Sequence, residues 1–200
     1  MKDANPYRPF FFVHVPKTGG TSIARRMQSQ GVWGSNCGGH CIAIKAKARL
    51  GKEWDERFSF GFIRNPWSRA FSIYNYWMLG ELSVKFPNLK FTDWIRKVYG
   101  LDDEKYILHP FGILPQTTIL CDSFGIPCVD FVGRFEDYET SWDKVCREIG
   151  IPVGERKHTN KSNSKITAEE AYSDDEEAIS FVGKYYREDV IFGGYSPPLR

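Results

Sequence analysis

The sequence predicts a single α/β domain of the P-loop type, with three layers and a mostly parallel central sheet flanked by helices. Three observations carry this. Predominantly apolar runs at residues 10–15, 58–64 and 129–133 read as buried strands. Helical patterns lie between them, and strands that alternate with helices pair in parallel. The first run stops at Pro16, and helix-compatible sequence resumes at Thr21-Ser22 after only Lys17-Thr18-Gly19-Gly20. A strand, a glycine turn and a helix leave unpaired backbone N–H groups pointing at one spot beyond the strand.

Taken in order, residues 1–9 are an N-terminal extension, and His14 falls in the first strand as a satisfied core histidine. The turn that follows can cradle a phosphate-like anion. Gly19 and Gly20 permit positive φ and close approach, Lys17 adds a point charge, and Thr18, Thr21 and Ser22 add hydroxyls. Lysine precedes the glycines here, unlike the nucleotide triphosphate P-loop, in which it follows them. Ile23, Ala24 and Met27 begin the first helix. Residues 31–39 are a glycine-rich loop, and residues 40–50 read as a helix closed by Gly51.

The second strand ends in Arg64, and Asn65-Pro66 supplies a favoured N-cap and a favoured first helical residue. The helix buries Ala70, Ile73, Tyr74 and Trp77, while Arg69, Ser72 and Tyr76 share another face. Open α/β sheets place ligands beyond the carboxyl ends of their strands. An arginine there suits bidentate neutralisation of a phosphate without metal. Residues 80–115 read as a helical insert around a helix at 92–99, capped by Thr92 and ended by Gly100. After the third strand, Trp142, Val145, Cys146 and Ile149 mark an amphipathic helix over 139–149, stopped by Gly150 and Pro152. Residues 157–165 form a polar loop. Thr167 with Glu170, and Ser173 with Glu176, are capping-box patterns.

The two anion motifs resemble those of sulfotransferases that use 3′-phosphoadenosine 5′-phosphosulfate (PAPS). Pro16-Lys17-Thr18-Gly19-Gly20-Thr21-Ser22 is similar to their 5′-phosphosulfate loop. Arg64-Asn65-Pro66-Trp67-Ser68-Arg69, with Ser72 eight residues after Arg64, is similar to their 3′-phosphate motif. Weaker likeness at Pro115-Gln116-Thr117, residues 129–136, His158-Thr159-Asn160-Lys161-Ser162 and residues 185–195 extends it to the Golgi-type carbohydrate sulfotransferases and their bacterial relatives. The resemblance implies PAPS as donor and 3′,5′-adenosine bisphosphate (PAP) as product, with no metal. Lys17 would stabilise the leaving oxygen, and Thr18, Gly19, Gly20, Thr21 and Ser22 would hold the 5′ end. Arg64, Arg69 and Ser72 would take the 3′-phosphate, and Asn160, Lys161 and Ser162 would contact the cofactor. A base must still take the acceptor proton. His40 lies between the two motifs, where several of these enzymes carry their catalytic histidine or glutamate; His109 and Glu53 are the alternatives. The acceptor is a small molecule or a carbohydrate, with a glycan or glycolipid favoured.

Bulk composition fits one domain over residues 1–200, since 200 residues at 42% hydrophobic can bury a full core. Nothing reaches the roughly 18 apolar residues of a membrane span, and a signal-peptide pattern is absent. Residues 1–75 carry 12 Lys and Arg against 4 Asp and Glu, whereas the remainder carries 15 against 21. That basic segment holds both anion motifs and suits an anionic cofactor. No nucleic-acid-binding motif accompanies it. Five cysteines, an odd count without a framework, suggest reduced thiols in the cytoplasm. Cys37, His40 and Cys41 could contribute to a zinc site only with a distant fourth ligand. Two other functions compete: a P-loop kinase or NTPase, which needs an acidic metal ligand at a strand end, and a non-catalytic nucleotide-binding module.

Overall fold

The computed structural model describes residues 7–29, 40–153, 166–173 and 175–198. In chain order the elements are β1 (Phe10–Val13), α1 (Gly20–Ser29), α2 (Ala43–Leu50), α3 (Lys52–Asp55), β2 (Phe58–Ile63), α4 (Pro66–Met78), α5 (Glu81–Lys85), α6 (Phe91–Ile95), α7 (Pro110–Ile113), α8 (Gln116–Leu120), β3 (Phe131–Arg134), α9 (Tyr138–Ile149), α10 (Ala168–Tyr172), α11 (Glu176–Tyr185) and α12 (Arg187–Gly193). A π-helical turn over Arg96–Gly100 extends α6, and a 3-10 turn spans Glu104–Tyr106. The chain divides into two compact units, Met1–Ile63 with Gln116–Lys161, and Arg64–Pro115 with Ser162–Arg200.

The first unit is α/β. Its three strands are all parallel in the order β1-β2-β3, with Phe10 beside Phe58 and Phe60 beside Phe131. Side chains alternate across a strand. Phe10, Phe12, Phe58, Phe60 and Phe62 therefore share one face, and they form a single core cluster with Ile23 and Met27 of α1 and Trp142, Val145 and Ile149 of α9. On the opposite face Phe11 packs on Trp54 of α3, with ring centroids 5.0 Å apart. Gly61 there admits Leu120 of α8, whose Cδ2 would lie 2.5 Å from any Cβ at that position. Helices thus cover both faces, as all-parallel sheets require. Strand β3 begins at Phe131, two residues later than the apolar run suggests. Asp130 is occupied instead: its carboxylate accepts from the N–H and hydroxyl of Ser59, both at 2.8 Å, and its own N–H donates to Ser59 Oγ at 3.0 Å. Gly150 ends α9 in the left-handed conformation (φ 83°).

The second unit is helical and built around α4. Asn65 caps it as its sequence predicts, accepting from the N–H groups of Trp67 and Ser68. The segment 80–115 supplies several of this unit's helices, packing against α4 from α5, α6 and α7. Helix α6 starts at Phe91, flanked by Lys90, and Thr92 makes no capping bond; Gly100 does end the helical run. Thr167 and Glu170 close a complete capping box at α10. Ser173 forms no second box. It takes a left-handed conformation at the end of α10 (φ 44°), its hydroxyl donates to Glu170 O, and Asp175 caps α11 instead. Among the described residues no helix is long and apolar enough to cross a membrane.

Candidate functional site

The turn after β1 holds the densest set of predicted site residues. Lys17 has φ 68° and Gly19 has φ 90°, two left-handed residues flanking Thr18. Alternating conformations of this kind make anion-binding concavities from successive N–H groups. A lysine held there is strained, and such strain persists where the surroundings over-determine it. Part of the surroundings is visible. Thr18 is fully buried and its hydroxyl donates to Val15 O at 2.8 Å, so that side chain locks the turn and is not available to a ligand. Ser22 is also buried, and its N–H donates to Gly19 O at 2.9 Å. Ile23 N–H shares that acceptor. Of the hydroxyls expected to face an anion, Thr21 is exposed. The N–H groups of Gly20 and Thr21 open α1 ahead of its first bonded turn, where helix donors lack internal partners.

The two glycines also serve packing from behind. A Cβ at Gly20 would sit 2.0 Å from His14 Nε2, and one at Gly19 would sit 3.1 Å from Tyr138 Cε2. His14 lies just past the end of β1 and is half-buried, rather than enclosed within the strand. Its ring stacks on Phe12, and the His40 ring is 5.0 Å away. Burial lowers the His14 pKa to about 4, with further lowering from His40 and Lys17. His14 is therefore a neutral imidazole at neutral pH, backing the turn on which Lys17 sits.

His40 is exposed and precedes α2, whose N-cap is Ile42, so it does not open that helix. Glu53 sits on α3 and pairs with Arg57 at 3.1 Å. Both precede β2, which places Glu53 at the amino-terminal edge of the sheet, opposite the edge from which the β1 turn leaves. That removes Glu53 as the base. His109 is exposed in the second unit, its ring edge-on to Trp77.

Arg64 immediately follows β2 and is half-buried; its Nη2 donates to Ser68 Oγ at 3.2 Å. Ser68 and the half-buried Ser72 lie at i and i+4 on one face of α4. A cavity of about 190 Å³ opens beside Ser68, bounded by Asn65 and Trp67 and by Ser196, Pro197 and Pro198. Ser68 was legible only through that four-residue spacing. Arg69 departs from expectation. It is fully buried, its Nη1 and Nη2 donate to Leu114 O (3.0 Å) and Gly112 O (2.9 Å), and its guanidinium lies 5.4 Å from the Tyr186 ring centroid. Arg69 ties α7 to α4 and is not offered to a ligand. Asn160, Lys161 and Ser162 lie outside the described residues, as does Cys37. Among the described residues no group of three or more His, Cys, Asp and Glu is placed to hold a metal, and Cys41, Cys121, Cys128 and Cys146 form no disulfide with one another.

An uncharacterised protein of Archaeoglobus fulgidus is 30% identical over 105 residues, which span 52% of this chain and 78% of that protein. A crystal structure of a sulfotransferase from Alicyclobacillus acidocaldarius aligns over 90% of this chain and 96% of its own, at 15% identity and a TM-score of 0.39. The family model of the sulfotransferases matches residues 3–196, so the chain belongs to the sulfotransferase family.

Proposed function

We propose that this protein transfers a sulfuryl group from PAPS to a hydroxyl or amine of a small-molecule or carbohydrate acceptor, a glycan or glycolipid being favoured. The observation that carries the reading is the turn after β1. Left-handed Lys17 and Gly19 shape a donor-lined concavity at the head of α1, in a chain of this family. PAPS supplies an activated sulfuryl group, with PAP as its leaving group.

The chain's own residues would do the rest. Lys17 Nζ neutralises charge that builds on the leaving oxygen, a term realised only in the transition state. The N–H groups of Gly20 and Thr21 donate to the same end. Arg64, oriented by Ser68, and Ser72 bind the 3′-phosphate and so select this donor over nucleotides that lack one. Asn160, Lys161 and Ser162 remain candidate contacts on resemblance alone. His40 takes the acceptor proton, while its neighbour His14 stays neutral and adds no competing charge.

Thermal shift with PAP, 5′-AMP and ATP-magnesium tests the reading. PAP should stabilise the protein most, and Arg64→Ala should erase the advantage of PAP over 5′-AMP. Lys17→Ala should lose turnover by far more than it loses PAP binding. Preferential stabilisation by ATP-magnesium would instead favour a kinase.

A further inference from the structure

The turn between α8 and β3 presents two large apolar side chains to solvent. Phe124 is 86% exposed and Ile126 60%, on either side of Gly125. Exposed apolar residues are ordinary on a loose loop, yet this turn is tightly built. The Asp122 carboxylate accepts from the N–H groups of Phe124 and Ile126, both at 2.9 Å. Asp122 N–H donates to Ile126 O at 2.9 Å, and Gly125 N–H donates to Asp122 O at 3.1 Å. Cys121 and Pro127 pair as an antiparallel bridge at its base. The side chains are therefore held outward on an ordered backbone, and little freedom is lost when something covers them.

Cations flank this tip. Helix α2 packs on α8, from which the turn leaves. Burial and Asp122 raise the Cys128 thiol pKa while the charge of Lys47 lowers it, so α2 and the turn are neighbours. Ala43 and Ala46 form the buried side of α2, whereas Ile44, Lys45, Lys47 and Arg49 are exposed. Residues 43–57 carry five Lys and Arg against three Asp and Glu, and one of those three, Glu53, is paired with Arg57. Asp55 and Glu56 are exposed after it and leave the balance positive. The turn leads into the first residues of β3, and all three strands are parallel. It thus lies at the amino-terminal edge of the sheet, opposite the edge from which the Lys17 turn leaves.

We propose that the Phe124–Ile126 tip and the cations of α2 dock this unit on an anionic lipid surface. Phe124 and Ile126 enter the headgroup boundary, and Lys45, Lys47 and Arg49 face the lipid anions. A convex apolar tip needs a matching cavity in a protein partner and none in a fluid bilayer. A two-fold pairing of copies through the tip would also crowd the two sets of α2 cations. Apolar insertion together with cations at an anionic surface is the pair of signals that reversible membrane attachment uses. The Lys17 turn then faces away from the lipid and stays open to solution.

Co-sedimentation with two sets of vesicles tests this, one of phosphatidylcholine alone and one with phosphatidylserine mixed in. Wild type should partition onto the serine-containing set at least about tenfold more strongly. Phe124→Ser combined with Ile126→Ser should weaken binding to that set about tenfold. Lys45→Gln, Lys47→Gln and Arg49→Gln together should abolish the preference between the sets. Both variants should melt as wild type does, because the altered side chains are exposed. Equal partition of wild type onto the two sets, or none onto either, overturns the proposal. Undiminished binding by either variant does the same, as does a variant that melts well below wild type, since its side chains would then be packed and not presented. Light scattering without vesicles supplies the remaining outcome: a dimer that Phe124→Ser dissolves would assign the tip to a second copy instead.

Discussion

The two units satisfy their cores by opposite means. The α/β unit buries hydrocarbon: Phe10, Phe12, Phe58, Phe60 and Phe62 line one face of its sheet, with rings as close as 5.1 Å. The helical unit buries polar heads. Trp67 Nε1 donates to Ile179 O, Trp94 Nε1 to Tyr106 O, Tyr172 Oη to Trp67 O and Tyr186 Oη to Ile113 O. Arg69 serves two more carbonyls. The difference follows from backbone accounting. A parallel ladder pairs most of its own N–H and C=O groups, so few of its side chains need bring donors, Ser59 toward Asp130 being an exception. Helices of four or five residues, such as α6, α7 and α10, are nearly all terminus, and their last carbonyls have no partner within the helix. At α7 and its C-cap, Arg69 and Tyr186 fill that gap, whereas Trp67 and Tyr172 donate to carbonyls within the longer α11 and α4. Aromatic residues with a polar tip cover apolar surface and supply a hydrogen bond together.

Substitutions should separate these two kinds of core. The largest effect is expected for Phe60→Ala in the sheet, a loss of about 3–5 kcal/mol by denaturant titration, since Phe60 is fully buried and leaves a cavity. Phe60→Leu should recover most of it, because only volume is at stake. Arg69→Met keeps volume but strips two carbonyls, and should cost about 2–3 kcal/mol. Arg69→Lys should not restore it, as an ammonium cannot fork to both oxygens. A cost under about 0.5 kcal/mol for Arg69→Met would show that those carbonyls are otherwise satisfied. Tyr186→Phe removes one oxygen that pairs with both Tyr99 and Ile113, and should cost about 1–2 kcal/mol. The same change at Tyr138, in the first unit, should cost nothing, because that hydroxyl is buried without a partner among the described residues.

The smallest effect concerns His14, whose protonation lowers stability only below neutral pH. Its folded pKa of about 4 lies below the unfolded value near 6.5, so the unfolded chain binds the proton more readily. The stability from neutral His14 is complete above pH 6.5, declines as pH falls toward 4, and is fully lost below that. Melting temperatures across this window should fall less steeply in His14→Asn than in wild type. Parallel profiles would mean that His14 titrates normally.

Much of this architecture was legible from local pattern. Three apolar runs gave the sheet, and Asn65-Pro66 and Thr167-Glu170 gave two helix starts, because strand burial and capping are decided within a few residues. What stayed hidden depends on partners distant in sequence. The periodicity of α4 shows which arc is apolar, yet not that Gly112 and Leu114 present carbonyls able to hold Arg69 within that arc. The Gly19-Gly20 pair signalled a tight turn without revealing that His14 and Tyr138 press against it from behind. Thr18 resembles a ligand donor in the sequence because a hydroxyl in a loop looks the same whether it bonds Val15 O or an anion. Tyr138 carried no signal at all: a tyrosine opening an acidic helix is ordinary until its packing is known.

Neither unit is a continuous stretch of chain. The first is interrupted by residues 64–115, and the second by residues 116–161. On a ribosome, β1 and β2 are made before α4, yet β3 follows only after the first half of the helical unit has been synthesised. That half must then wait for α10, α11 and α12 at the far end of the chain. Both units thus reach completion late in synthesis, with a Phe-rich sheet edge exposed for as long as β3 is missing. Unpaired edges of this kind invite association between nascent chains. Slow translation or chaperone binding over residues 64–130 should therefore govern soluble yield more than any single substitution in the turn where Lys17 sits.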